Sequence, residues 1–134
     1  MTLLDSNVLL DVLTDDPIWF AWSTHQLDTA SVLGPMFIND VIYAELSVRF
    51  AELSQLEMFL RTMRVTRRPI SGAALFLAGK VFQSHRQAGG IRTGVLPDFF
   101  IGAQALVENM PLMTRDRRRY GTYFPKLRLI SPVH

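Results

Sequence analysis

Short apolar runs and longer amphipathic stretches alternate along the chain. Thr2–Leu4, Met36–Ile38 and Leu112–Met113 are runs of strand length, and Val65–Thr66 and Leu127–Ile130 extend the series to five. Between them the pattern predicts helices: a short one from Ser6 or Asn7, its cap, through Val12; one over Ile18–Val32; one over Val41–Phe50 capped by Asn39 or Asp40; and one over Leu53–Met63. Ser71 opens a long helix to Gln87, and Pro97-Asp98 opens another to Asn109. Asp15-Asp16-Pro17 and Gly34-Pro35 punctuate the chain, and AGGIRTG reads as a glycine-rich loop. Strands this short, separated by helices, predict βαβ units around a buried parallel sheet. The expected architecture is a three-layer α/β/α sandwich with a mainly parallel five-stranded sheet.

Composition fits that reading. The chain has 134 residues, 49% hydrophobic and 19% charged, enough for one domain over residues 1–134 with a real core. There is no repeat, low-complexity segment or linker. No cysteine is present, which excludes disulfides and thiolate zinc sites. No signal peptide and no apolar run of about 18 residues is visible, so a cytoplasmic protein with no membrane span is expected.

The net charge is only +2, but arginines cluster at Arg61, Arg64, Arg67 and Arg68, and at Arg115, Arg117, Arg118 and Arg119. Such clusters more often form a solvated face than a phosphate site. Trp19 and Trp22, three residues apart on one predicted helix, read as core or dimer packing, as do Met58, Phe59 and Met63.

The acids are more informative. Asp5 interrupts an apolar run just past the first strand. Asp40 and Glu45 follow the second strand, Asp116 follows the fourth, and Asp98 opens a helix after the glycine-rich loop. In a parallel α/β sheet these positions fall at the carboxyl edge, where sites form. Converging carboxylates repel one another, and a hard divalent cation such as Mg²⁺ or Mn²⁺ relieves that repulsion. Taken singly, Asp5, Asp40 and Asp98 also suit helix caps or first-turn acids. Glu45, between Ala44 and Leu46 in VIYAELS, is harder to explain as a solvated side chain.

Four ordered stretches, LLDSNVLLD, INDVIYAELS, LPDFFIGAQAL and LMTRDRRRY, together with the closing FPKLRLISP, resemble the PIN-domain proteins, most closely the VapC-type ribonuclease toxins of bacterial toxin–antitoxin pairs. The likeness spans nearly the whole chain. It implies a PIN-like fold and an acidic centre of Asp5, Glu45, Asp98 and Asp116, with Asn7 and Thr114 orienting the carboxylates. Asp5 and Asp98 would ligate the metal, with Glu45 and Asp116 doing so directly or through water. One departure is Asp40, which stands where relatives commonly carry proline; a helix cap is its simplest role.

The resemblance further implies Mg²⁺- or Mn²⁺-dependent hydrolysis of RNA phosphodiesters, with transfer or ribosomal RNA as the substrate class. Arg92, Arg115 and Arg117 are candidates to contact RNA phosphates. His25, His85 and His134 lie outside the motifs. A cognate antitoxin docking over the acidic groove and a homodimer are the implied partners, with the Ile18–Leu33 and Leu53–Met63 helices as candidate surfaces. The alternatives are an RNA-binding module with weak or no turnover and a metal-dependent phosphatase or DNase.

Overall fold

A computed structural model describes residues 1–89 and 96–132. The elements run in chain order as β1 (Thr2–Leu4), α1 (Ser6–Leu13), α2 (Phe20–Leu33), β2 (Met36–Ile38), α3 (Asp40–Ser47), α4 (Leu53–Met63), β3 (Val65–Arg67), α5 (Gly72–Gln87), α6 (Leu96–Val107), β4 (Leu112–Met113), α7 (Arg117–Tyr123) and β5 (Leu129–Ile130). The strands form one sheet in the order β3-β2-β1-β4-β5, parallel throughout. Thr2, Leu3 and Leu4 are all buried although successive side chains point to opposite faces, so β1 is covered on both sides, as a three-layer α/β/α sandwich requires. Burying one such leucine contributes about 1.5–3 kcal/mol.

The strand order reverses at β1. From there the chain builds outward to β2 and β3 on one side, then returns to add β4 and β5 on the other. In such sheets the crevice beyond the carboxyl ends of the central strands is the natural place for a ligand. Here those ends deliver Asp5 from β1 and the Thr114–Asp116 turn from β4.

Boundaries differ from the sequence expectation where side chains intervene. Asp5, not Ser6 or Asn7, caps α1. Asn39, not Asp40, caps α3, its Oδ1 accepting from the Ile42 amide at 2.9 Å. Asp40 is exposed and pairs with Arg67 at 3.6 Å. α2 begins at Phe20 because Asp16 Oδ1 accepts from the Ile18 and Trp19 amides and holds that segment in a turn. α3 ends at Ser47, where the amides of Arg49 and Phe50 bond three residues back and tighten the chain out of the helix. α6 ends at Val107, and the Met110 amide reaches back to Ala105. β5 begins only at Leu129, since the Leu127 amide closes a turn onto Phe124.

Of the expected core residues, Trp22, Phe59 and Met63 pack against the core, and Trp19 meets Trp22 edge to face at 6.3 Å. Met58 is 57% exposed and belongs to the surface.

α6 is buried almost all round, which accounts for the apolar FFIGAQAL run. Gly102 lets α7 approach it: a Cβ there would fall inside van der Waals contact of the Phe124 ring, itself buried. Gly102→Ala is therefore expected to cost about 1–3 kcal/mol by overpacking. It also pushes α7 away from Asp98. A thermal melt checks this; an unchanged midpoint would mean that Phe124 has room to yield.

Candidate metal centre

Each acid reaches the carboxyl edge of the sheet by a different route. Asp5 leaves β1 and caps α1, its Oδ1 accepting from the Ser6 amide at 2.8 Å. Glu45 lies along α3 and its Oε1 accepts from Ser6 Oγ at 3.1 Å. Asp98 is in the first turn of α6. Asp116 follows β4 and caps α7, accepting from the Arg119 amide at 3.3 Å.

Thr114 joins two of them. Its side chain is fully buried, and its hydroxyl donates to Asp5 Oδ2 at 2.7 Å while accepting from the Asp116 amide at 3.0 Å. Asn7 completes the knot: Nδ2 donates to Asp5 Oδ2 and to Thr114 Oγ1, each at 3.4 Å, and Oδ1 accepts from the Arg115 amide at 3.3 Å. A continuous chain of hydrogen bonds thus runs from Glu45 through Ser6, Asp5 and Thr114 to Asp116.

Asp98 is held from α7. Tyr120 Oη donates to its Oδ1 at 3.1 Å, and Arg119 Nη1 donates to its Oδ2 at 2.8 Å. Arg119 Nε also pairs with Asp116 Oδ2 at 3.1 Å, so one guanidinium bridges two of the acids. Among the described residues, no three carboxylates or histidines converge closely enough in this arrangement to share one ion. The sequence expectation of converging acids is met only as a connected network, because each acid is separately satisfied by a hydroxyl, an amide or the Arg119 fork.

The electrostatics show strain between charges. Burial raises the Asp5 carboxyl above its ordinary range, the Thr114 hydroxyl pulls it down, and the Asp98 charge adds to the rise. Burial likewise raises Glu45, opposed by the Ser6 bond and reinforced by Asp5 and Asp98. Asp98 is raised by burial, with Arg119 opposing. Tyr120 is pushed well up by burial and by the charges of Asp5 and Asp98, so its phenol remains a hydrogen-bond donor. The donors available are all hard carboxylate oxygens. A guanidinium already stands in for positive charge among them, so the residues present fit a divalent cation of the Mg²⁺ or Mn²⁺ type.

Of the arginines expected to meet phosphate, Arg115 has its fork committed elsewhere. It forms a two-point bond to the buried Asp11 at 2.8 and 2.9 Å and lies 5.2 Å from the Trp19 ring. Ser23 Oγ donates to the same Asp11 at 2.7 Å. This half-buried pair ties the β4–α7 turn to α1. Arg117 is exposed, and Arg92 lies outside the described residues. His25 is exposed, His85 packs against Phe99 and meets Tyr123 Oη at 3.1 Å, and His134 is outside the described residues.

A family model for the PIN domain matches residues 2–125. The chain belongs to the PIN-domain family. No curated protein sequence matches it. Several solved structures share the fold of this PIN domain. VapBC2 from Rickettsia felis, bound to a DNA fragment from its promoter, is 20% identical, with 98% of each chain covered and a TM-score of 0.75. A toxin–antitoxin complex from Klebsiella pneumoniae is 18% identical over 100% of this chain and 99% of the other, with a TM-score of 0.72. VapBC-1 from nontypeable Haemophilus influenzae is 18% identical over 97% and 96%, with a TM-score of 0.70.

Ser6, Arg119 and Tyr120 are the site residues that sequence reasoning missed. Arg119 and Tyr120 follow Asp116 by three and four residues, a spacing that places them one helical turn beyond a capping acid. That spacing was the available signal, submerged in a run of arginines.

Proposed function

We infer that the protein is a divalent-metal-dependent endoribonuclease acting as the toxin of a toxin–antitoxin pair. The observation that carries this reading is the oxygen-only set of Asp5, Glu45, Asp98 and Asp116 at the strand-order reversal of a PIN fold. Asp5 and Asp98 are the direct ligands in this reading, with Glu45 and Asp116 direct or through water. A bound Mg²⁺ or Mn²⁺ would supply an activated water and neutralise charge developing on the scissile phosphate.

The chain's own residues do the rest. Thr114 and Asn7 fix the Asp5 carboxylate, and Ser6 fixes Glu45. Tyr120 donates to Asp98 and, kept protonated, does not add negative charge. A groove of about 760 Å³ beside Asp116, lined by Arg117 and Arg118, offers cationic side chains to an RNA backbone.

The neighbours described as toxin–antitoxin complexes support a cognate antitoxin as partner. The exposed Val48, Leu53 and Met58, on and beside α4, suit an apolar antitoxin segment, and a homodimer remains part of the proposal. Among the described residues no helix is long and apolar enough to cross a membrane. The proposed substrate is transfer or ribosomal RNA of the cytoplasm.

The test is cleavage of RNA, DNA and a small phosphoester by the purified protein with Mn²⁺ and with EDTA. RNA cleavage that needs the metal and stops on adding the co-purified antitoxin is the expected result. Cleavage of DNA or of the phosphoester in preference to RNA would assign another hydrolase activity, and RNA binding without cleavage would reduce the protein to a binding module.

A further inference from the structure

Among the described residues, Arg119 is the cation paired with members of the acidic set, Asp98 and Asp116; Asp5 and Glu45 are held by neutral hydroxyls, an amide and the Asn7 side chain. Its guanidinium spans Asp98 and Asp116 at 2.8 and 3.1 Å, and Glu45 also feels its charge. The two ends of the Asp98 pair differ: the carboxylate is nearly buried, at 11% exposed, whereas the guanidinium side chain is 45% exposed. The exposure means that the side chain is not locked into the core and has solvent into which to turn.

We propose that Arg119 is the resident counter-cation of the acidic centre: its guanidinium holds the position between Asp98 and Asp116, and a divalent ion binds only by displacing it. The inference rests on the metal-centre reading above. Both oxygens of Asp98 are occupied, one by Tyr120 and one by Arg119. Tyr120 is neutral and buried and can stay in place, whereas Arg119 brings a positive charge that repels an incoming ion. Arg119 leaves by rotation of its side chain, with its backbone amide still on Asp116 Oδ1. The consequence is a centre that holds metal weakly until the arginine is drawn away. A basic residue from a partner would meet the same competitor.

Isothermal titration of the full chain with Mn²⁺ alone tests this. Arg119→Met keeps an unbranched, flexible stem and removes the guanidinium and its charge. It is expected to bind Mn²⁺ about tenfold tighter than wild type. Arg118→Met, an exposed neighbour with the same change in net charge, is expected to stay within about twofold of wild type. Without metal, Arg119→Met melts below wild type, and saturating Mn²⁺ reverses that order. Equal or weaker Mn²⁺ binding by Arg119→Met overturns the inference alone. An equal gain in Arg118→Met also overturns it, since overall charge then explains the effect. Absence of Mn²⁺ binding in both wild type and Arg119→Met removes the metal-centre reading and the inference with it. Should Arg119→Met fail to fold, Arg119→Lys takes its place, with the charge kept and the two-point fork lost. Its affinity is expected above wild type, and an affinity at or below wild type overturns the proposal.

Discussion

Asp5→Asn is expected to lower metal-dependent RNA cleavage by more than the roughly 10–100-fold that loss of an outer partner of a metal costs, with the fold retained. The side chain has two tasks. As a cap it accepts from the Ser6 amide, and asparagine caps a helix as well as aspartate does. As a ligand it supplies a charge, which asparagine lacks. A protein in which Asp5 only capped α1 would cleave at its ordinary rate after the substitution. Stability separates the readings further. In the folded protein the Asp5 carboxyl is raised by burial, with Asp98 adding to the rise. The native state therefore holds this proton more tightly than the unfolded chain, whose value is about 3.9. The stabilising contribution is complete below that value and is lost as pH rises through the raised native value. Asp5→Asn removes this loss. Its metal-free melting temperature should exceed that of wild type by more near about pH 7 than near about pH 4, and Mn²⁺ should narrow the gap by stabilising only wild type. Glu45 and Asp98, raised in the same direction, leave a residual slope of the same sign.

Thr114→Val should be the most damaging change at an uncharged position. Valine matches threonine in shape, so the core around it stays filled. What disappears is the hydroxyl that donates to Asp5 Oδ2 and accepts from the Asp116 amide. The buried Asp5 carboxylate loses a partner at roughly 1–3 kcal/mol, and the half-buried Asp116 amide loses one at a smaller cost. A fall in melting temperature on the order of 10 °C follows for a domain of this size. With Asp5 no longer held, Mn²⁺ affinity and cleavage should drop by about 10–100-fold. Thr114→Ser keeps the hydroxyl and should recover most of both. If Thr114 acted through packing alone the order would invert, with valine harmless and serine destabilising through its missing methyl group.

The parts of this molecule legible in its sequence are those fixed by neighbours along the chain. The strands at Thr2–Leu4 and Met36–Ile38 are short, largely apolar stretches that stop at the polar Asp5 and Asn39, and their limits agree with the structure. Ser71 caps α5 as its position before an amphipathic stretch suggests. Caps chosen between adjacent residues were less legible, since Asn39 and Asp40 carry equal propensity and only the three-dimensional turn selects Asn39. The acids stood out because charge interrupts apolar runs at Asp5 and Asp98. Their partners did not. Arg115 reaches Asp11 across 104 residues of sequence, and Arg119 reaches Asp98 across 21. In the sequence both are members of one basic run, and only the packing of α7 on α6 gives them different neighbours. Tyr120 was hidden for the same reason, an aromatic residue that looks like core and is core, yet aims its hydroxyl at a carboxylate.

Whether these acids hold a divalent cation is decided by anomalous diffraction from crystals grown with Mn²⁺. The expected result is a manganese peak bounded by Asp5 and Asp98, with the Arg119 guanidinium turned away from Asp98. Crystals grown at saturating Mn²⁺ with no peak at these carboxylates, and with Arg119 still bridging Asp98 and Asp116, would contradict it.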